Sequence, residues 1–269
     1  MQITGQTDLF YIVGTPVRHF RAPILFNEHF AAMGHDFCCG GLNVLPEDLA
    51  AALALVRRVD NIRGLCITAP HKIAAAALVD RRTDAAEQAG SVNFVRREGD
   101  GTLTGHNLDG LGFLRGLRAS GFEPEGRRVL LLGAGGVGRA IAFALAGAGV
   151  GGLVLSNRDA GKAAALSQEV TRATGLAVGT VGAVGTDALA GFDLVANATS
   201  VGMGGSEGMP VALDGIAPEA MVADVVISPQ DTPFIAAARA AGCRVMPGSA
   251  MLRPQIELSE GFLYGGAED

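Results

Sequence analysis

The chain has 269 residues, a net charge of −6, and a composition that is 49% hydrophobic and 18% charged. That length accommodates one large or two ordinary domains around a sizeable core, and an acidic balance with no basic stripe argues against a nucleic-acid surface. The four cysteines, Cys38, Cys39, Cys66 and Cys243, match neither a zinc pattern nor a secreted disulfide framework, so no metal is expected and a reduced, cytoplasmic setting is the simplest reading. The start MQITGQTDLFYIVG lacks a basic region ahead of a long apolar one and does not read as a signal peptide. The apolar stretch 140–150 is too short to span a bilayer and is broken by Gly147 and Gly149.

In chain order, residues 9–13 read as a strand ending at Gly14-Thr15-Pro16. Residues 23–34 read as a helix with Ile24, Leu25, Phe30 and Met33 on one face. A second helix is predicted at 46–58, a short buried strand at 64–68, and another helix starting at 73–78. Residues 91–97 and 101–105 read as a hairpin around Glu98-Gly99-Asp100-Gly101. A helix at 110–119 is expected to cross between domains. Beyond it come strands at 129–132, 153–156, 194–197, 221–227 and 244–246, with helices at 139–148, 160–174 and 232–241. The glycines of 175–191 read as loop and strand punctuation. Strands alternating with helices imply parallel sheets, one to each half. The predicted fold class is therefore α/β with two domains, divided near Asp109.

Val129-Leu130-Leu131-Leu132 runs straight into Gly133-Ala134-Gly135-Gly136-Val137-Gly138. This is an apolar strand feeding a G-x-G-x-x-G turn that opens a helix. Gly133 allows the tight turn, Gly135 lets backbone approach a pyrophosphate, and Gly138 lets the helix pack on its strand. The free N–H groups at the helix start face the anion. The strand before and the helix after make the motif far more specific than the glycines alone. The second strand ends in Ser156-Asn157-Arg158-Asp159. An NAD site places an acid there to hold the ribose 2′-OH. Arg158 can instead stack on adenine and pair with a 2′-phosphate, with Lys162 adding a second charge. NADP is favoured on this reading and NAD remains the alternative, because Asp159 would repel the phosphate.

Redox chemistry at a carbonyl needs a proton donor or acceptor at the oxygen while hydride moves at the carbon. In the first half, Thr68-Ala69-Pro70-His71-Lys72 presents Lys72 just past a buried strand, where α/β sites lie. Ser91-Val92-Asn93 and His106-Asn107-Leu108-Asp109 also put polar groups at strand ends. A lysine oriented by an aspartate can pass a proton, so Lys72 and Asp109 are the candidate acid–base pair. Singly, Lys72 is more often a solvated helix-start lysine and Asp109 a helix cap; their joint appearance ahead of a nucleotide motif shifts the balance. His71, beside Lys72, is expected to face solvent.

VGTPVRHFRAP, GLCITAPHK, GSVN, GHNLDG, LLGAGGVGRAI, SNR, NATSVGM, ADVVISP and PGSAMLRPQ occur in this order and spacing. In these segments the chain resembles the shikimate dehydrogenase family over nearly its whole length. The resemblance implies a substrate domain of residues 1–108 completed by 245–269, and a Rossmann NADP domain of 109–244. It implies reversible reduction of 3-dehydroshikimate to shikimate with NADPH, in aromatic amino acid biosynthesis. Lys72 and Asp109 match the family's catalytic pair, and Thr68, Asn93 and Gln255 its ring-hydroxyl contacts. Asn157, Arg158 and Lys162 match the adenine-phosphate clamp. The loop with Asn197 and Thr199, together with Gly248 and Met251, lies where the nicotinamide half is held. The implied partner is a small cyclic polyol or keto acid, with no nucleic acid or membrane, for a monomer or homodimer.

The departures gather around the substrate. Where the family has S-x-S to hold the substrate carboxylate, this chain has Phe20 and Ala22. Cys66, Phe94, Leu108 and Ile227 likewise replace residues that carry hydrogen-bonding side chains in the family. A buried carboxylate stripped of its partners loses several kcal/mol, on the order of a few powers of ten in affinity. Arg18 or Arg21 could replace the serines, although the expected loop geometry points Arg21 toward solvent. The reading is a shikimate-dehydrogenase-like reductase acting on shikimate or a related cyclic compound. The alternatives are a quinate/shikimate dehydrogenase using NAD and a non-catalytic nucleotide sensor.

Overall fold

The computed structural model describes residues 2–18, 20–182, 184, 189–205 and 208–265; His19 lies outside the described residues. The chain forms two compact units, one of residues 1–108 with 255–269 and one of residues 109–254. The first begins with β1 (Asp8–Gly14), α1 (Ala22–Ala32) and β2 (Phe37–Asn43), then a short 3-10 turn at Pro46–Asp48 that runs into α2 (Leu49–Val56). It continues through β3 (Ile62–Ile67), α3 (Lys72–Leu78), β4 (Arg81–Arg82), α4 (Asp84–Ala89), β5 (Phe94–Arg97) and β6 (Leu103–His106). The sheet order is β2-β1-β3-β5-β6-β4. β1 runs parallel to β2 and β3, whereas β5 is antiparallel to both β3 and β6. This sheet is mixed rather than parallel throughout, because a short turn can join β5 to β6 only as an antiparallel pair.

The buried face of α1 differs from the expected one. Phe26 and Phe30 are buried, while Ile24, Leu25 and Met33 are exposed. The two phenylalanines join Phe10, Phe37 and Phe94 in an aromatic cluster, with Phe30 stacked on Phe37 at 4.0 Å. Large rings one helical turn apart give more apolar burial than the aliphatic set, and they set the helix's rotation.

The second unit contains α5 (Asp109–Ala119), β7 (Arg128–Leu132), α6 (Gly136–Gly147), β8 (Gly152–Ser156), α7 (Ala160–Thr174) and β9 (Val178–Val181). β10 (Leu194–Asn197), β11 (Met221–Asp224), α8 (Pro233–Ala240) and β12 (Arg244–Met246) follow. All six strands are parallel, in the order β12-β11-β10-β7-β8-β9. This is the doubly wound order, with the chain reversing direction across the sheet between β7 and β10. Leu130, Leu131, Leu194 and Val195 are wholly buried, as parallel strands covered on both faces require. Gly110 lets α5 approach α6: a Cβ there would lie 2.5 Å from the Ala140 carbonyl oxygen.

α9 (Ser249–Tyr264) begins in the second unit and ends in the first. Residues 245–254 stay with the second unit, against the expectation that the first resumes at 245, because β12 pairs with β11 through Val245 and Met246. In the first unit Glu260 receives His29 at 3.0 Å and His35 at 2.9 Å, and the Tyr264 hydroxyl donates to Asp8 Oδ2 at 3.0 Å. All four cysteines are free. Among the described residues, no helix is long and apolar enough to cross a membrane.

Candidate active site

At the C-terminal end of β7, Gly133 has φ +110°, and a Cβ there would stand 2.8 Å from the Ala198 carbonyl oxygen. A Cβ on Gly138 would lie only 2.1 Å from the Gly133 carbonyl oxygen, so α6 is seated directly on the turn. Gly135 differs from both: its φ is −81° and no atom lies within 4 Å of its Cβ position. Neither strain nor packing in the protein asks for glycine there. It caps α6 without a side chain, and the N–H groups of the first turn, including Gly136 and Val137, have no partner within the helix. An open approach to a helix N-terminus fits a phosphate group.

Asn157 follows β8 and bridges two loops. Its Oδ1 accepts from the Ala134 N–H at 3.1 Å, and its Nδ2 donates to the Asp159 carbonyl oxygen at 2.9 Å. Asp159 is the N-cap of α7, with Oδ1 accepting from the Lys162 N–H at 3.2 Å. The cap turns one carboxylate oxygen toward the start of α7. Arg158 and Lys162 are both exposed beside it. Two cations and a capped acid suit a 2′-phosphate better than a bare 2′-hydroxyl.

At the end of β10, Asn197 is wholly buried, and its Oδ1 accepts from the Thr199 N–H at 3.0 Å and from Thr199 Oγ1 at 2.6 Å. Gly248 is a site of close backbone approach: a Cβ there would lie 2.3 Å from the Val226 carbonyl oxygen. Met251 is buried in the unit's hydrophobic core. Ile227 is exposed.

In the first unit the candidate residues gather at the ends of β1, β3, β5 and β6. The Thr68 N–H donates to the Val13 carbonyl oxygen at 2.9 Å, extending β3 along β1. Lys72 opens α3, half-buried, and its carbonyl oxygen accepts from the Val92 N–H at 2.9 Å. Asn93 is tied on three sides. Its N–H donates to the His106 carbonyl oxygen, its carbonyl oxygen accepts from the Ile67 N–H, and its Oδ1 accepts from the Leu108 N–H at 2.8 Å. Asn107 Nδ2 donates to the carbonyl oxygen and the hydroxyl of Ser91, both at 3.1 Å. These bonds fix the segments bearing Thr68, Lys72 and Asn93, and the chain leading to Asp109. Asp109 is buried at the start of α5, and Gln255 is buried on α9.

His71 is a correction to the solvent-facing expectation. It is 1% exposed and its Nε2 bonds to the Val44 carbonyl oxygen at 2.9 Å. The histidine anchors the start of α3 to the loop after β2, which spends its ring on structure.

A Cβ on Gly14 would lie 2.7 Å from the Thr68 methyl and 3.0 Å from the tip of the Phe20 ring. The ring therefore packs over the end of β1 beside Thr68. Ala22 is half-buried at the start of α1, and Arg18 and Arg21 are exposed. The sequence reading missed Asp224 and Thr232, wholly buried polar residues near the end of β11. The signal for Asp224 was a polar residue closing the apolar run Met221-Val222-Ala223, and that for Thr232 was the Thr-Pro start of the helix predicted from 232.

Residues 12–95 match the shikimate dehydrogenase substrate binding domain family. A shikimate dehydrogenase (NADP(+)) of Moorella thermoacetica is 41% identical over 257 residues, which cover 94% of this chain and 86% of that protein. The structure of the Thermus thermophilus shikimate 5-dehydrogenase in complex with NADP(H) and shikimate superposes with a TM-score of 0.85 at 33% identity, covering 96% of this chain and 93% of that one. The ligand-free 5-ketofructose reductase of a Gluconobacter species gives 0.86 at 31% identity, covering 99% and 96%.

Proposed function

The chain belongs to the shikimate dehydrogenase family, and from that premise we propose that it moves hydride reversibly between NADP(H) and a cyclic hydroxy/keto compound of the shikimate/3-dehydroshikimate class. The observation that carries this reading is the second unit's pairing of an open Gly135 at a helix N-terminus with Arg158 and Lys162 beyond the next strand. The N-terminal turn of α6 would hold the pyrophosphate, and the two cations the adenine-ribose phosphate. When bound, the cofactor would supply hydride in its reduced form, NADPH, and accept it in its oxidised form, NADP+.

Residues of the first unit, with Asp109 at the start of α5, serve the other half of the chemistry. Thr68, Asn93 and Gln255 offer neutral hydrogen-bonding groups to ring hydroxyls. Lys72 donates a proton to the carbonyl oxygen on reduction and recovers it from the hydroxyl on oxidation, with Asp109 orienting its ammonium. The hydrogen bonds around Asn93 and Asn107 support this role, because they hold the flanking segments rigid.

The test is the rate of nicotinamide reduction by shikimate, with NADP and NAD side by side, for the wild type and for Lys72→Met. A rate that prefers NADP and depends on Lys72 supports the reading. Clear cofactor binding with no turnover of shikimate or of any cyclic alcohol would refute it.

The Phe20 ring favours a second reading for the substrate. It packs beside Thr68, and the arginines of its loop, Arg18 and Arg21, are exposed. A carboxylate placed against that ring meets a hydrocarbon surface, at a cost of several kcal/mol, order of magnitude ~2–7 for a polar group without a partner. An uncharged polyhydroxy ketone avoids this cost. The likeness to a 5-ketofructose reductase supports this reading.

A further inference from the structure

Asp224 closes β11 with its side chain wholly buried. Its Oδ1 accepts from Asn197 Nδ2 and from the Val226 N–H, each at 3.0 Å, and its Oδ2 accepts from Thr232 Oγ1 at 2.7 Å. Burial raises the carboxyl above its ordinary pKa, and these hydrogen bonds oppose the rise. Among the described residues no cation pairs with it. A buried acid is a costly way to end a strand, and the partners indicate what it does there.

Asn197 closes the neighbouring strand, β10. Its Nδ2 also donates to the Val201 carbonyl oxygen at 3.2 Å, and Thr199 Oγ1 accepts from the Val201 N–H at 3.1 Å. Thr232 caps α8 by accepting from the Ile235 N–H at 3.2 Å. The two loops meet again where the Gly204 N–H donates to the Ser228 carbonyl oxygen at 3.1 Å. The first of them also abuts the glycine turn, through Ala198 against Gly133. One carboxylate thus joins the loops leaving β10 and β11. They lie across the reversal point from Asn157 and Arg158. A dinucleotide spans that point in a sheet of this order, so these loops face the cofactor's reactive half.

We propose that Asp224 is a positioning residue for hydride transfer: it fixes the loops after β10 and β11, and through them the nicotinamide end of NADP, without touching the cofactor. The proposal rests on the NADP reading above. Its geometry explains why acceptors are needed here. Three donors converge on one side chain; an apolar residue satisfies none of them, and an amide keeps two but must turn its NH2 toward the Thr232 hydroxyl, which reverses the third bond.

The test compares wild type, Asp224→Asn and Thr232→Val by titration with NADPH and with adenosine 2′,5′-bisphosphate, which carries only the adenine half. Turnover is measured on the same samples. For Asp224→Asn, bisphosphate affinity is expected to stay at the wild-type level, while NADPH affinity and kcat each fall by about tenfold or more. Thr232→Val moves the same two quantities the same way by less. Wild-type NADPH affinity and kcat in the folded variants would overturn the proposal. So would equal losses for both ligands, the mark of general loosening. If Asp224→Asn does not fold, Thr232→Val decides on the same criteria. Wild type that binds neither ligand would remove the NADP reading itself, and this proposal with it.

Discussion

Gly135 and Gly138 are three residues apart in one motif, and the structure assigns them opposite consequences. A Cβ on Gly138 would sit 2.1 Å from the Gly133 carbonyl oxygen. Relief requires moving backbone, not the end of a side chain. Overpacking of this severity costs about 3 kcal/mol, and alanine's better helix propensity offsets about 1. Gly138→Ala is therefore expected to lose about 2 kcal/mol of stability in urea unfolding followed by circular dichroism. Gly135→Ala meets no atom within 4 Å and keeps an ordinary φ of −81°. Its weaker capping costs about 0.5 kcal/mol, which the loss of unfolded-state freedom roughly offsets. Stability stays near wild type, but the new methyl stands in the phosphate's approach. NADPH fluorescence titration should show affinity weakened by at least about tenfold, or ~1.4 kcal/mol. Gly147→Ala, which also meets nothing within 4 Å, is the control that leaves NADPH affinity at the wild-type level while stability stays the same or rises by up to ~1 kcal/mol from alanine's helix propensity. A Gly138→Ala protein as stable as wild type would refute the packing argument. A Gly135→Ala protein that binds NADPH normally would refute the assignment of the phosphate to this turn.

Lys72→Met is expected to reduce kcat by roughly 10²–10⁴-fold, the usual range for a general acid–base group, with NADPH titration unchanged; retained turnover removes Lys72 from the chemistry. Phe20→Ser with Ala22→Ser should lower the KM for shikimate by about tenfold or more if hydroxyls there reach a carboxylate, and an unchanged KM would place the carboxylate elsewhere. Arg158→Ala should weaken NADP by about tenfold more than NAD, which shares the adenine but lacks the 2′-phosphate, read as the ratio of the two KM values. Asp80 accepts from the Leu103 N–H at 2.7 Å and from Arg57, in that order of influence, and its carboxyl titrates below the ordinary value. A depressed folded-state value means that its contribution is present above the unfolded pKa of about 3.9 and is lost as pH falls through the folded value. Asp80→Asn should therefore be less stable than wild type at neutral pH, with the gap closing in acid; a gap independent of pH would contradict the assignment.

The elements legible in the sequence are those whose local signal and tertiary setting agree. The apolar run 129–132 reads as a buried parallel strand because it is one, and its glycines have identifiable steric reasons. The hairpin could be read from Gly101, which has φ +86°. β2 was missed because Phe37-Cys38-Cys39-Gly40-Gly41 carries no β-branched residue, and the aromatic cluster supplies what propensity lacks. β9 was missed among glycines, on an edge where little is buried. α4 is one short helix whose Thr83 cap and left-handed Gly90 were present but overlooked. At the site, Lys72, Asn93 and Arg158 stood out as polar residues at strand ends. Three features could not be seen without coordinates: the buried ring of His71, the joining of two loops by Asp224, and Phe20 folding back over Gly14. The first two depend on chain distant in sequence, and the third on how a short loop turns.

The return of α9 also fixes an order of assembly. The second unit is one uninterrupted stretch, 109–254, inserted between the two pieces of the first. Chains commonly fold from the N-terminus as they leave the ribosome, but here the earliest-made unit must finish last. Residues 8–106 emerge with His29, His35 and Asp8 still lacking Glu260 and Tyr264, their partners in the finished protein. Residues 260 and 264 must be synthesised before that face closes, by which time the second unit already has all of its strands. The first unit is thus finished by the second half of α9: cutting the chain after Pro254 would remove Glu260 and Tyr264 from the first unit while leaving every strand of the second in place.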